Sequence, residues 1–290
     1  MTASCCHSQS CRVSLPLIDT RLRFRPLCRE IVELLRTLQA DHWERPTIAG
    51  AWRVRDVVAH MCDTALRRLS LHRDHRMPPS GPRGTGERDL TLFINELNAT
   101  WIRAAERFSP RVLTELYAHA SENLVAFIET LDPLADAMLP VSWAGQSASP
   151  QWLDIGREFT EIWHHGSQVR EAVGAGPFRD PSWLRDVLQI SMYALPHAYR
   201  AVQPPHEDMS VVVEITGRAP GVWTLRRVGP AWDIGEGASS TPAATIAMTD
   251  ETAWRLFFNA LSPKEAQSSI ALGGNLDLAR PIFNARAVIV

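Results

Sequence analysis

The stretch EFTEIWHHGSQVR, residues 158–170, places two adjacent histidines and two acids within the apolar spacing of an amphipathic helix. The apolar stripe of this helix consists of residues at helical spacing, which are Ile155, Phe159, Ile162, Val169 and Val173. Successive residues of a helix point about 100° apart, so His164 and His165 cannot share one side of the stripe. The direction of each polar side chain around this helix therefore decides what it can bind.

Two polar residues of the stretch are expected at the edge of the buried stripe. Measured from Ile162, His165 lies about 60° to one side and Glu161 about 100° to the same side. The two are four residues apart, so they stack one turn apart. His164 is expected about 160° from the stripe, in solvent or in a peripheral contact. Glu161 and His165 are thus the candidate interior pair, although this spacing is also common on solvated helix surfaces.

A second histidine occupies a similar place on an earlier helix, predicted from Trp52 to His72. His60 flanks the apolar stripe of that helix, which contains Val54, Val58 and Met61. Two histidines and one carboxylate leave one coordination position open, which is typical of catalytic rather than structural zinc sites. His60, Glu161 and His165 are therefore candidate metal ligands if the two helices meet.

Composition restricts the kinds of partner that the chain can bind. Its 290 residues carry 30 Lys and Arg against 32 Asp and Glu. This balance offers no electrostatic footprint for nucleic acid or an anionic membrane. No apolar run approaches the length of a membrane span, and the start MTASCCHSQSC lacks the apolar centre of a signal peptide. We expect a cytoplasmic protein, monomeric or homodimeric, that binds small molecules.

Cysteines crowd the beginning of the chain, where Cys5, Cys6 and Cys11 surround His7. Vicinal cysteines without a second Cys or His pair downstream match no usual zinc spacing. We interpret residues 1–19 as a disordered tail that takes no part in the site.

Helical patterns dominate the first two hundred residues. Apolar periodicity predicts helices over about residues 20–40, 52–72, 90–108, 110–130, 150–173 and 181–194. A loop rich in proline and glycine, residues 77–86, separates the second from the third. Three helices begin with an N-cap residue followed by proline, at Ser109, Ser149 and Asp180. Residues 20–203 are accordingly interpreted as a metal-binding four-helix bundle.

After Pro204-Pro205 the pattern changes to short β-rich runs. MSVVVEITG, VWTLRRV, AWDIG, ATIAMT and SSIALGG predict a small antiparallel sheet. Helices are expected over residues 250–261 and 275–287, and Ser262 with Glu265 supplies a capping box. The fold class is therefore mixed, a helical bundle followed by a small α+β domain at residues 204–290.

Two motifs resemble a known family. WERPTIAGAWRVRDVVAHM, from Trp43 to Met61, contains a Trp, a Val-x-Asp and an Ala-His in that order. EIWHH, from Glu161 to His165, has the form Glu-x-Trp-x-His. Both are similar to motifs of the mycothiol-dependent maleylpyruvate isomerase-like branch of the DinB superfamily. The resemblance extends over the whole chain, because that family commonly joins a four-helix bundle to a domain similar to sterol-carrier modules.

The resemblance implies a ligand set and a cosubstrate. Family members bind a divalent metal, usually zinc, through the His of the first motif and the Glu and His of the second. This implies His60, Glu161 and His165 as ligands and a low-molecular-weight thiol as cosubstrate. Gln168 departs from the pattern, because members often carry Asp there. Residues 259–262, Asn-Ala-Leu-Ser, also depart from it, because many relatives have Gly-Arg after the preceding helix.

These observations predict a metal-dependent enzyme that activates a small thiol for transfer to, or isomerisation of, an electrophilic substrate. Zinc favours a thiolate over a thiol and so produces a nucleophile at neutral pH. Two alternatives stay open, a hydrolase that activates water and a non-catalytic protein that binds a metal or small ligand. Catalytic residues other than the metal ligands are not assigned. A substrate carboxylate has three candidate partners, which are Arg226, Arg227 and Arg280, and each is also typical of an ordinary surface arginine.

Overall fold

The computed structural model describes residues 16–203 and 209–289. Cys5, Cys6, His7, Cys11 and the Pro204-Pro205 boundary lie outside these ranges. The helices of the first range are α1 (Arg21–Thr37), α2 (Ala40–Trp43), α3 (Val54–Arg68), α4 (Glu87–Ala105), α5 (Pro110–Ile128), α6 (Gln151–Val173), α7 (Pro181–Ser191) and α8 (Ala194–Ala198). A π-helical turn, Leu69–Arg73, extends α3, and a 3-10 turn lies at Ser142–Ala144.

The core of this part lies between long helices that pack against one another. Helix α1 packs against α5 and α6, and α3 packs against the same two helices. The stripe predicted for α6 is buried, since Ile155, Phe159, Ile162 and Val169 are each at most 4% exposed. Removal of such apolar surface from water is the main stabilising contribution to a helical core.

The predicted helix starts are confirmed at two of three positions. Ser109 Oγ accepts from the amide of Val112, and Asp180 accepts from the amide of Ser182. Ser149 does not cap α6, because its hydroxyl accepts from the amide of Val141 and donates to Gln146. The Ser149 side chain therefore anchors the preceding loop rather than the helix.

The second range contains a five-stranded sheet, in the order β3-β2-β1-β4-β5. Its strands are β1 (Ser210–Thr216), β2 (Gly221–Val228), β3 (Ala231–Glu236), β4 (Ala244–Thr249) and β5 (Ala271–Gly274). The prediction of a purely antiparallel sheet is wrong, because β1 and β4 pair in parallel. After β3 the chain crosses to the other side of β1, where β4 pairs with it. The alternation of apolar and polar residues within a strand does not specify which strand it pairs with.

Short helices accompany the sheet, namely α9 (Asp250–Phe257), α10 (Pro263–Ser269) and α11 (Leu276–Ala279). Helix α9 ends earlier than predicted, and Asn259 follows in the left-handed region with φ 56°. The last predicted helix is also shorter, because a 3-10 turn at Arg280–Asn284 replaces its second half. The capping box of Ser262 and Glu265 is confirmed.

Helix α9 joins the sheet part to the helical part. Trp254 meets the edge of Trp163 at 5.8 Å between ring centroids, and Arg255 pairs with Glu171 at 2.7 Å. Phe258, just after α9, stacks on His164 at 4.5 Å. His164 was expected in solvent or in a peripheral contact. It is only 3% exposed, so the solvent position is wrong, and its contact is with Phe258 of the sheet part. The domain boundary at residues 203 and 204 stays a prediction.

None of the helices in the described ranges is both long enough and apolar enough to cross a bilayer.

Gly166 allows α6 to approach α1 closely. A β-carbon at this position would lie 2.7 Å from Phe178 Cζ and 2.9 Å from Ile31 Cδ1. We expect Gly166→Val to lower the free energy of unfolding by about 1–3 kcal/mol, because a packed core accommodates extra methyl groups poorly. Chemical denaturation measures the change. The control is Gly81→Val in the open loop, where no atom lies within 4 Å. Equal stability of the two variants would contradict this account.

Candidate metal centre

Helices α3 and α6 bring the three predicted ligands together. His60 Nε2 lies 3.2 Å from Glu161 Oε1, and His165 Nε2 lies 3.3 Å from the same oxygen. One ligand atom from each residue can be chosen so that all lie within 4.8 Å of one another. Two ring nitrogens and one carboxylate oxygen therefore converge on a volume that suits a single cation.

Burial differs among the three side chains. His60 and His165 are 4% and 6% exposed, whereas the Glu161 side chain is 23% exposed. Both rings are held from behind by the core, since His60 lies on the buried side of α3 and His165 beside the stripe of α6. Solvent or a ligand therefore reaches the cluster on the Glu161 side.

A hydrogen bond determines which nitrogen of His165 faces Glu161. His165 Nδ1 donates to Gln168 Oε1 at 2.7 Å, and both residues are buried. A metal requires a neutral imidazole, and with its one N–H on Nδ1 the Nε2 lone pair is the one offered to a metal. That lone pair points towards a carboxylate oxygen that is itself an acceptor. A cation between these two acceptors removes their repulsion, so the donor set fits a metal.

The charges of the cluster suit a metal as well. Burial is the main cause that lowers the pKa of His60, to about 4, against the opposing effect of its hydrogen bond to Glu161. His60 is therefore neutral at pH 7, as a ligand must be. Burial alone would raise the pKa of Glu161, but the neighbouring His165 and His60 side chains outweigh it and hold that pKa well below its usual range. Glu161 is thus an anion.

Two aromatic neighbours complete the surroundings of the cluster. The ring of Trp52 lies 4.9 Å from that of His60 and 6.2 Å from that of His165, so it covers both ligands. His164 lies beside His165 at 3.9 Å between centroids, but its Nδ1 donates to the carbonyl of Thr160. His164 therefore borders the cluster without belonging to it.

A buried ionic network, which the sequence analysis missed, lies further along the same two helices. Arg68 of α3 pairs with Asp154 of α6, and each side chain is 3% exposed. Arg157 also pairs with Asp154, at 3.2 Å, and with Glu158. Burial alone would raise the pKa of Asp154. The positive charges of Arg157 and Arg68 outweigh burial, and the pKa of Asp154 is lowered. The sequence feature that could have revealed this network is spacing. Arg68 follows His60 by eight residues on α3, and Asp154 precedes Glu161 by seven residues on α6.

Burial also shifts the pKa of Glu158, the first residue of the stretch 158–170. Glu158 is 3% exposed, and burial is the main cause that raises its pKa. Glu158 therefore belongs to the ionic network rather than to the metal cluster.

Other residues considered from the sequence have partners elsewhere. Arg227 lies over the ring of Trp232 and donates to the carbonyl of Val202. Arg280 is exposed and lies 3.7 Å from Asp277. Arg226 projects from β2 as an exposed residue. None of these three arginines therefore has a role in the cluster.

Solved structures with a similar fold exist for most of the chain. A crystal structure of the mycothiol-dependent maleylpyruvate isomerase superposes with a TM-score of 0.52 at 12% identity, covering 89% of this chain and 93% of that chain. A mutant of that isomerase gives the same TM-score and coverage at 11% identity. A sterol carrier protein 2 like 2 from Aedes aegypti covers 33% of this chain and 94% of its own, at 17% identity and a TM-score of 0.27. No curated protein sequence matches the chain significantly.

The sequence itself identifies the family. Residues 24–170, just over half of the chain, match the family described as the mycothiol maleylpyruvate isomerase N-terminal domain. This range contains both motifs and all three candidate ligands. The chain therefore belongs to the mycothiol maleylpyruvate isomerase N-terminal domain family.

Proposed function

We propose that this protein is a thiol-dependent isomerase or transferase. Its divalent metal, which we propose to be zinc, is held by His60, Glu161 and His165. One observation carries the proposal. Glu161 Oε1 lies 3.2 Å from His60 Nε2 and 3.3 Å from His165 Nε2, and Gln168 orients the His165 ring through its Nδ1. Membership of a family named after a mycothiol-dependent enzyme supports the thiol part of the proposal.

The chain's own residues have distinct tasks in this proposal. His60 and His165 supply nitrogen ligands, and Glu161 supplies the negative charge. Trp52 covers both rings and excludes water from that side. A zinc ion held by these residues would lower the pKa of a bound thiol, so that the thiolate would form near neutral pH. Glu161, the most exposed of the three, lies where that thiol would enter.

The proposed chemistry needs a substrate with an electron-poor double bond. The thiolate sulfur adds to one alkene carbon, and the electron pair of the double bond moves to the activating carbonyl group. Rotation about the new single bond is followed by return of that electron pair and loss of the thiolate. Because the thiol is regenerated, the net reaction is an isomerisation. If the carbon–sulfur bond is instead kept and the adduct takes up a proton, the thiol stays on the substrate and the same site acts as a transferase.

Metal binding is the first test. We expect the purified protein to bind about one zinc ion per chain, and His60→Ala and His165→Ala to lose it, because either change leaves two ligands. Elemental analysis after zinc loading and dialysis measures the content. His164→Phe is the matched control, since it keeps an aromatic ring against Phe258 and removes no proposed ligand. Zinc retained by both alanine variants would refute this ligand set.

The anionic ligand gives a second test. Glu161→Gln keeps the shape of the side chain but removes its charge, so we expect zinc affinity to fall by at least about tenfold while the fold is retained. Competition with a chromophoric chelator measures affinity, and circular dichroism measures folding. Glu158→Gln makes the same chemical change one turn earlier, within the ionic network. Equal zinc affinity in wild type and Glu161→Gln would exclude Glu161 as a ligand.

Thiol binding is the third test. We expect mycothiol or glutathione to add a sulfur-to-metal charge-transfer band to the spectrum of the cobalt-substituted protein, because that band requires direct coordination. His165→Ala should lose the response together with the metal. A cobalt site that no thiol perturbs, in a protein that hydrolyses an ester or amide, would replace the proposal by water activation. A site that no ligand perturbs would replace it by a non-catalytic role.

A further inference from the structure

We propose that Gln168 is a positioning residue with two effects, which rest on the proposed function. It fixes the tautomer of His165 for metal binding, and its lack of charge leaves the metal-loaded site positive, so that the site favours a thiolate. The second effect makes the choice of an amide at this position a determinant of ligand specificity.

The positioning effect follows from the geometry of α6. Gln168 lies three residues after His165, so both side chains project from the same face of the helix. Its Oε1 accepts the Nδ1 proton at 2.7 Å, and Gln168 is 3% exposed, so water does not compete for that proton. The hydrogen bond thereby orients the ring so that Nε2 faces Glu161. Such support of a ligand histidine contributes to metal affinity.

His60 lacks an equivalent support within the described part of the chain. Its Nδ1 is buried and has no hydrogen-bond partner there. The ring is placed by packing, with Trp52 at 4.9 Å between centroids. Of the two imidazoles, His165 is therefore the one whose proton is directed by a neighbouring side chain, and a substitution at Gln168 acts on one ligand only.

The charge of residue 168 determines the charge of the loaded site. A divalent cation, the Glu161 carboxylate and two neutral imidazoles together carry one net positive charge. A thiolate neutralises that charge, and the neutral amide of Gln168 leaves it unchanged. A carboxylate at residue 168 would accept the same Nδ1 proton more strongly and make His165 a better electron donor. It would also cancel the net charge that attracts the thiolate.

Two substitutions separate these effects. We expect Gln168→Leu to weaken zinc binding by about 10–100-fold, because the Nδ1 proton loses its acceptor. Gln168→Glu is expected to tighten zinc binding by about tenfold but to weaken thiol binding to the loaded site by about tenfold. Chelator competition measures zinc affinity without thiol. Titration of the cobalt-substituted protein with glutathione measures thiol affinity. A merely structural role would not move the two affinities in opposite directions.

Ser167→Glu is the matched control, since it adds the same charge one residue earlier, about 100° away around the helix. Both affinities should stay within about threefold of wild type, because Ser167 is partly exposed and its charge is screened. Unchanged zinc affinity in Gln168→Leu would overturn the positioning role, and tighter thiol binding in Gln168→Glu would overturn the charge argument. Wild-type protein without zinc affinity would instead contradict the proposed function.

Discussion

The buried ion pair between Arg68 and Asp154 is the interaction on which the arrangement of the site depends. It joins α3 to α6 where both side chains are 3% exposed. Separation of a buried pair leaves an uncompensated charge, which costs about 3–5 kcal/mol. His60 lies eight residues before Arg68 on α3, and Glu161 lies seven residues after Asp154 on α6, so the two helices run antiparallel. The ion pair therefore sets the register that brings the ligands level, about 12 Å away.

Local spacing was sufficient to predict part of the site. The four-residue interval between Glu161 and His165 places both at the edge of the α6 stripe, and the observed contact confirms that they are neighbours. Spacing could not predict that α3 meets α6, because that contact joins residues about a hundred positions apart. It also missed the ion pair, because charged residues on amphipathic helices usually face water.

The error at His164 has a physical cause that applies to the whole of α6. The angular argument assumes one buried side and one solvated side, as on a surface helix. Helix α6 instead contacts α1, α3 and α7, and Phe258 covers the ring of His164. A helix enclosed in this way has no solvent side for most of its length. The parallel pairing of β1 with β4 was missed for a related reason, since strand patterns do not name their partners.

The stacking of Phe258 on His164 also bears on how such a chain can evolve. His164 adjoins His165, and Trp163 meets Trp254, so the sheet part covers the back of the helix that carries two proposed ligands. A gene truncation before α9 would uncover these rings and leave the paired charge of Glu171 without Arg255. Recombination that exchanged the sheet part for another would face the same mismatch. The two halves are therefore expected to be inherited together, as one evolutionary unit.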